Sequence, residues 1–183
     1  MIAGLVLIRK NVILIISNSK YIDATQSLSI LSFALFFAVT ANIIANGLLV
    51  ILNKEKYVVI GTTASATINI ILNFALIPLL GQNGAALTTL LAEATMLGIS
   101  MWAAKNYLKN LIDIPEFLKA IVGSVIMFIV TDLIIPFLST NVILNLVETV
   151  IIAVLIYFVS MFLIRDKILK MIINLVKEKL TKS

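Results

Sequence analysis

Apolar residues run along this chain in long blocks, and short polar passages separate the blocks. A membrane-crossing helix needs about 20 mostly apolar residues. Five blocks meet that length, at 24–52, 57–80, 84–104, 114–138 and 142–164. A sixth, at 2–16, is short and carries Arg9 and Lys10. It reads as the tail of a helix that begins upstream, or as a tilted one. The predicted fold is all-α: a polytopic transmembrane bundle of about six helices, one of them partial, over 1–164. The connections at 53–56 and 81–83 are so short that they join antiparallel neighbours. Pro78 and Pro136 lie near helix ends, where a missing N–H bends a helix locally. Residues 106–113 form a charged loop, and Pro115 suits the first turn of the helix that follows.

Polar residues recur inside these blocks at helical spacing. Thr62, Ser65, Asn69 and Asn73 follow in steps of three, four and four, which traces one stripe. Asn42 and Asn46 are four apart, beside Ala38, Ala41 and Ala45. Thr89 and Glu93 are four apart, with Ser100 further along. Three consecutive helices therefore each carry a polar face. In hydrocarbon such groups are expensive unless they face a bundle interior or a wet cavity.

Two readings follow. The side chains bond across packed helices, at about 0.6 kcal/mol each, or they line a substrate path. Glu93 favours the second. It lies about 14 Å into its helix at 1.5 Å per residue, near the midplane, where a carboxylate costs a few kcal/mol. Asp132 and Glu148 lie nearer an interface and reach water. Arg9 and Lys10 either snorkel from the end of a helix that starts at Met1 or sit deeper, where a basic pair would hold an anion.

Composition agrees with a membrane protein. The chain is 61% hydrophobic and 13% charged, against about 45–50% and 25% for soluble domains. It has no cysteine and no histidine, so disulfides, cysteine-ligated metals and the commonest general base are excluded. No Gly-rich phosphate loop occurs. The reading is of a protein that is not an enzyme and needs no cofactor or metal. Arg9 and Lys10 follow the first apolar residues and no small-residue cleavage site comes after, so the N-terminus does not read as a convincing signal peptide.

Charge orients the chain. Lys54 and Lys56 flank one connection, and Lys105, Lys109 and Lys119 the next but one. Arg165, Lys167, Lys170, Lys177, Lys179 and Lys182 fill the tail. The opposite side holds only Lys20. The positive-inside rule places the charged connections and the C-terminus in the cytoplasm, with 81–84 and 139–141 outside the cell membrane. Residues 165–183 form a second unit. Ile168, Ile172, Val176 and Leu180 recur every four residues. The segment reads as a basic amphipathic helix on anionic headgroups, or as a solvated tail. Because the excess charge is juxtamembrane, nucleic acid is not a partner; membrane lipids are.

The motif N-x-x-L-N-x-x-L-I-P-x-x-G-x-x-G-A-A-x-x-T-x-x-x-E is met by Asn69, Leu72, Asn73, Leu76, Ile77, Pro78, Gly81, Gly84, Ala85, Ala86, Thr89 and Glu93. It resembles the C-terminal region of polysaccharide flippases of the Wzx and polysaccharide-synthesis transporter type. These belong to the superfamily of multidrug and toxin extrusion transporters and lipid II flippases. The passage SNSKYIDATQSLSIL and the turn LLVILNKEKY are similar as well, and the resemblance covers about residues 13–104.

The resemblance implies one lobe of a two-lobed flippase that moves a lipid-linked oligosaccharide outward. Glu93 would carry a coupling proton or sodium ion, and Arg9 or Lys10 would hold the pyrophosphate. Asn42, Asn46, Asn69, Asn73 and Thr89 would line the path. The family has two six-helix lobes, and this chain supplies about one. It therefore reads as a truncated, split or half transporter that pairs with a separate N-terminal lobe or with itself. The alternatives are a fragment of a drug or cation antiporter, and a non-transporting membrane interaction protein or gene remnant.

Overall fold

The computed structural model describes residues 2–17, 21–109 and 113–164, and among them no strand occurs. The helices are α1 (Ile2–Ile16), α2 (Ala24–Ile44), α3 (Glu55–Leu80), α4 (Gln82–Leu108), α5 (Ile114–Ile134) and α6 (Val142–Leu163). A π-helical turn, Ala45–Leu49, extends α2, and a 3₁₀ turn, Ile135–Phe137, extends α5. Five helices are long and apolar enough to cross a membrane: Ala24–Leu49, Glu55–Leu80, Gln82–Leu108, Ile114–Phe137 and Val142–Leu163. They match the five expected blocks to within a few residues at each end. The segment α1, with 15 residues, is shorter than a span. The tail, 165–183, lies outside the described residues.

Large apolar side chains such as Phe33, Ile43, Ile51, Phe74, Leu79, Leu133 and Phe162 face outward. The buried positions are mostly small: Ala34, Ala41, Ala45, Ala86, Ala92 and Ala104. Lipid tails are as apolar as leucine, so helices in a bilayer gain by close packing of small residues rather than by hiding large ones. This inversion, together with the five spans, is that of a multi-pass membrane protein.

The chain divides into two compact units, Met1–Leu111 and Ile112–Ser183. In the first, α2 and α3 both pack along α4, and α1 packs on α2. Ser27 meets Asn83 at one end, and Lys54 meets Ala103 at the other. Thus α2 and α4 run parallel, with α3 antiparallel to both. The α2 segment closes with the N–H of Lys54 donating to Leu49 O (2.8 Å) and that of Asn53 donating to Val50 O (3.0 Å). This pair of bonds is a Schellman cap, and Asn53 takes the left-handed φ of 54° that it needs.

The α3–α4 turn is tighter than the sequence implies. The expected GQNG turn shrinks to Gly81 alone, at φ 55° and ψ −130°, a conformation favourable only to glycine. Gln82, Asn83 and Gly84 already belong to α4. A Cβ at Gly84 would stand 2.6 Å from the carbonyl carbon of Leu76, so this glycine lets the two backbones touch. Pro78 sits inside the last turn of α3 without ending it. It only removes the donor that Phe74 O would otherwise receive.

In the second unit α5 and α6 form a hairpin, with Gly123 beneath Met161 and Tyr157. Asp113 caps α5 by accepting from Glu116 N–H (3.5 Å), with Pro115 in the first turn as expected. Asn141 caps α6 by accepting from Ile143 N–H (3.0 Å) and Leu144 N–H (3.3 Å).

Candidate functional site

The predicted polar stripe of α3 meets α4 near the Gly81 turn. Gly84, Thr88 and Ala92 are all buried and, four apart, form the face of α4 that lies closest to α3. Thr88 Oγ1 lies 2.6 Å from Asn73 Oδ1 and 2.8 Å from Ala85 O. It has one proton, so it donates to one of them at a time. Asn73 Nδ2 donates to Asn69 Oδ1 at 2.9 Å. A directed run of bonds results, from Thr88 through Asn73 to Asn69, and it leaves the Asn69 amide N–H groups at its far end. A second clamp ties α4 to α2: Asn83 Oδ1 accepts from Ser27 Oγ (2.6 Å), and Asn83 Nδ2 donates to Gln26 Oε1 (3.1 Å).

The other expected residues scatter. Thr89 bonds back to Ala85 O in its own helix at 2.9 Å, because a threonine hydroxyl in a helix readily reaches the preceding turn. Asn42 and Asn46 are exposed, outside the face of α2 that carries buried Ala41, Ile44, Ala45 and Leu49. The polar faces of α2 and α3 therefore do not converge within this unit. Arg9 is half-buried and Lys10 exposed, both in the middle of α1. Asp132 is exposed. Glu148 is engaged by the α5–α6 turn, where its Oε2 accepts from Ser139 N–H at 2.9 Å.

Glu93 is the exception. It is half-buried near the middle of the 27-residue α4, about 17 Å from the helix start at 1.5 Å per residue. It shares a stripe with Ala86 and Ser100, seven residues to either side, and both of those are buried. Ser100 Oγ has no hydrogen-bond partner among the described residues. Nor does the Glu93 carboxylate; the ion pair found among them is Lys119 with Glu116, at 2.8 Å. Beside Asn73, an open and mostly apolar groove of about 430 Å³ runs along α3, lined by Ile70, Phe74, Ile77 and Pro78. No three His, Cys, Asp or Glu among the described residues gather to hold a metal ion.

Sequence reasoning missed Thr88, Asn83 and Ser27. For Thr88 a signal exists: it lies four residues from Gly84 and from Ala92, on a stripe of small residues. Comparisons with protein-family models, with curated proteins and with solved structures each find no match to the chain.

Proposed function

We propose that this chain is a helical lobe of a membrane transporter that carries a lipid-linked oligosaccharide across the cell membrane. Glu93 carries the reading. A mid-span carboxylate with no cationic partner among the described residues is costly to hold in a bilayer, and a site that loads and unloads a proton or sodium ion gives it a use. The motif that resembles the flippases supports the same reading, since it coincides with the α3–α4 hairpin.

In this proposal Glu93 is the coupling group. Asn69, at the donor end of its hydrogen-bond run, presents an amide to sugar hydroxyls. Asn73 holds α3 to α4 through Thr88 and touches no substrate. Arg9 and Lys10 hold the pyrophosphate. Asn42 and Asn46 line the path once a second lobe covers them, either a separate N-terminal lobe or another copy. No bond is made or broken in such transport, so no catalytic group is required. The abundance of Lys and Arg at alternate connections supports a cytoplasmic C-terminus.

The test is a flipping assay with a fluorescent lipid-linked sugar, in liposomes that hold the chain with its complementary lobe. Glu93→Gln keeps the shape and removes the charge. Flipping is expected to fall at least tenfold while the amount of folded protein stays constant. Undiminished flipping by this variant overturns the proposal.

A further inference from the structure

The end of the first unit opposite Gly81 carries a second chemistry. There the α2–α3 connection meets the last turns of α4. Tyr57 and Trp102 pair edge to face, with ring centroids 5.7 Å apart. Lys56 Nζ lies 5.1 Å from the Tyr57 ring, and Lys105 Nζ lies 6.0 Å from the Trp102 ring. Two ammonium groups thus flank one aromatic pair. Tyr57 is fixed from below, packed against the buried cluster of Ile44, Leu49 and Ala104. Trp102 is 60% exposed, and its indole N–H has no hydrogen-bond partner among the described residues. Lys54 is engaged elsewhere, with its ammonium over the Tyr107 ring (4.9 Å) and donating to Ala103 O (3.5 Å). The charges nearby are Glu55, exposed in the first turn of α3, and Lys109, exposed just past α4.

Three spans end or begin here, which sets these groups at headgroup depth. A rigid ring pair with an ammonium on each ring and a free indole donor matches a phosphodiester that bears one negative charge. We propose that Lys56, Tyr57, Trp102 and Lys105 form a binding site for the headgroup of an anionic phospholipid. Tryptophan and tyrosine at an interface anchor any lipid. The lysines add selectivity for charge, at about fivefold per lysine near the surface. The site owes nothing to Glu93 and stands whether or not the chain transports a glycan.

Trp102 is the single tryptophan of the chain, so it reports on its own site. Full-length chain is placed in phosphatidylcholine vesicles. Phosphatidylglycerol or phosphatidylcholine with brominated acyl chains is then titrated in, and quenching of Trp102 fluorescence gives the relative binding constant. Phosphatidylglycerol is expected to be preferred about 25-fold, fivefold for each of the two lysines. Lys56→Gln and Lys105→Gln should each lower the preference about fivefold, and the double variant should bring it near parity. The triple variant Lys177→Gln, Lys179→Gln, Lys182→Gln should keep it. Raising the salt to about 1 M should weaken it in the unaltered chain, since the Debye length falls to about 3 Å. Parity in the unaltered chain overturns the site. So does a preference that survives the double variant, or one that only the tail variant abolishes.

Discussion

The α3–α4 and α5–α6 hairpins are both antiparallel pairs of spans, yet they close by different means. In α3–α4 the backbones meet: Gly81 makes the whole turn, Gly84 lies on Leu76, and Thr88 bonds Asn73 between the helices. In α5–α6 a side chain fills the gap. A Cβ at Gly123 would stand 2.8 Å from Met161 Sδ, a flexible atom that can move aside. Its polar bonds gather at the turn, where Ser139 N–H meets Glu148 and Asn145 Nδ2 meets Ser139 O (2.9 Å). Inside it, Thr131 is fully buried and its hydroxyl has no partner among the described residues. One hairpin is locked near its turn by backbone contact and an internal bond, and only farther along, at Gly61, does a methionine, Met96, fill the gap. The other is cushioned in its middle and tied at one end.

The strongest way to break this contrast is to add one carbon to each glycine. Gly84→Ala places a methyl group against backbone, which no rotamer change relieves. It should destabilise by about 1–3 kcal/mol. Gly123→Ala presses on the flexible Met161 Sδ, with Tyr157 at ordinary contact distance, and should cost less than about 1 kcal/mol. Unfolding of both variants in detergent, followed by circular dichroism, checks the order. Equal losses would remove the distinction between locked and cushioned.

A second pair sharpens it by sign. Thr88→Val leaves Asn73 Oδ1 without its donor and should cost about 0.6–2 kcal/mol. Thr131→Val removes a buried hydroxyl with no partner among the described residues, so it should be neutral or stabilising by up to about 1 kcal/mol. If Thr131→Val destabilises as much as Thr88→Val does, the hydroxyl of Thr131 has a partner after all. The smallest effect is expected at Glu148→Gln. The amide oxygen still accepts from Ser139 N–H, and the same unfolding measurement should move by no more than about 0.5 kcal/mol.

Much of the fold is legible in the sequence, because length and apolarity alone define a span. The 57–80 block becomes Glu55–Leu80 and the 142–164 block becomes Val142–Leu163. The pairing of Asn69 with Asn73 follows from i, i+4 spacing. The partner across the gap does not. As α4 packs against two helices at once, interior positions occur on two of its faces. Thr88 and Thr89, adjacent in sequence, then look equally interior, and only one crosses to α3. The π-helical turn of α2 leaves no mark in composition either. It changes the residues per turn where Asn46 sits, so four-residue spacing no longer guarantees a shared face. Glu148 shows a third limit: its partner is a backbone N–H nine residues earlier, which no side-chain pattern encodes.

The one-residue turn at Gly81 also bears on how the chain enters a bilayer. The helix it introduces, α4, is the least hydrophobic of the five spans, with a mean hydropathy of 1.3 against 2.6 for α6. Released alone into lipid, α4 would expose Thr88 and Glu93, and α3 would expose Asn69 and Asn73. Because Gly81 folds α4 straight back onto α3, Thr88 can reach Asn73 before either helix leaves the aqueous insertion channel. A hairpin entering as one unit would keep that bond, and α4 would not have to bring an unpaired Thr88 into hydrocarbon.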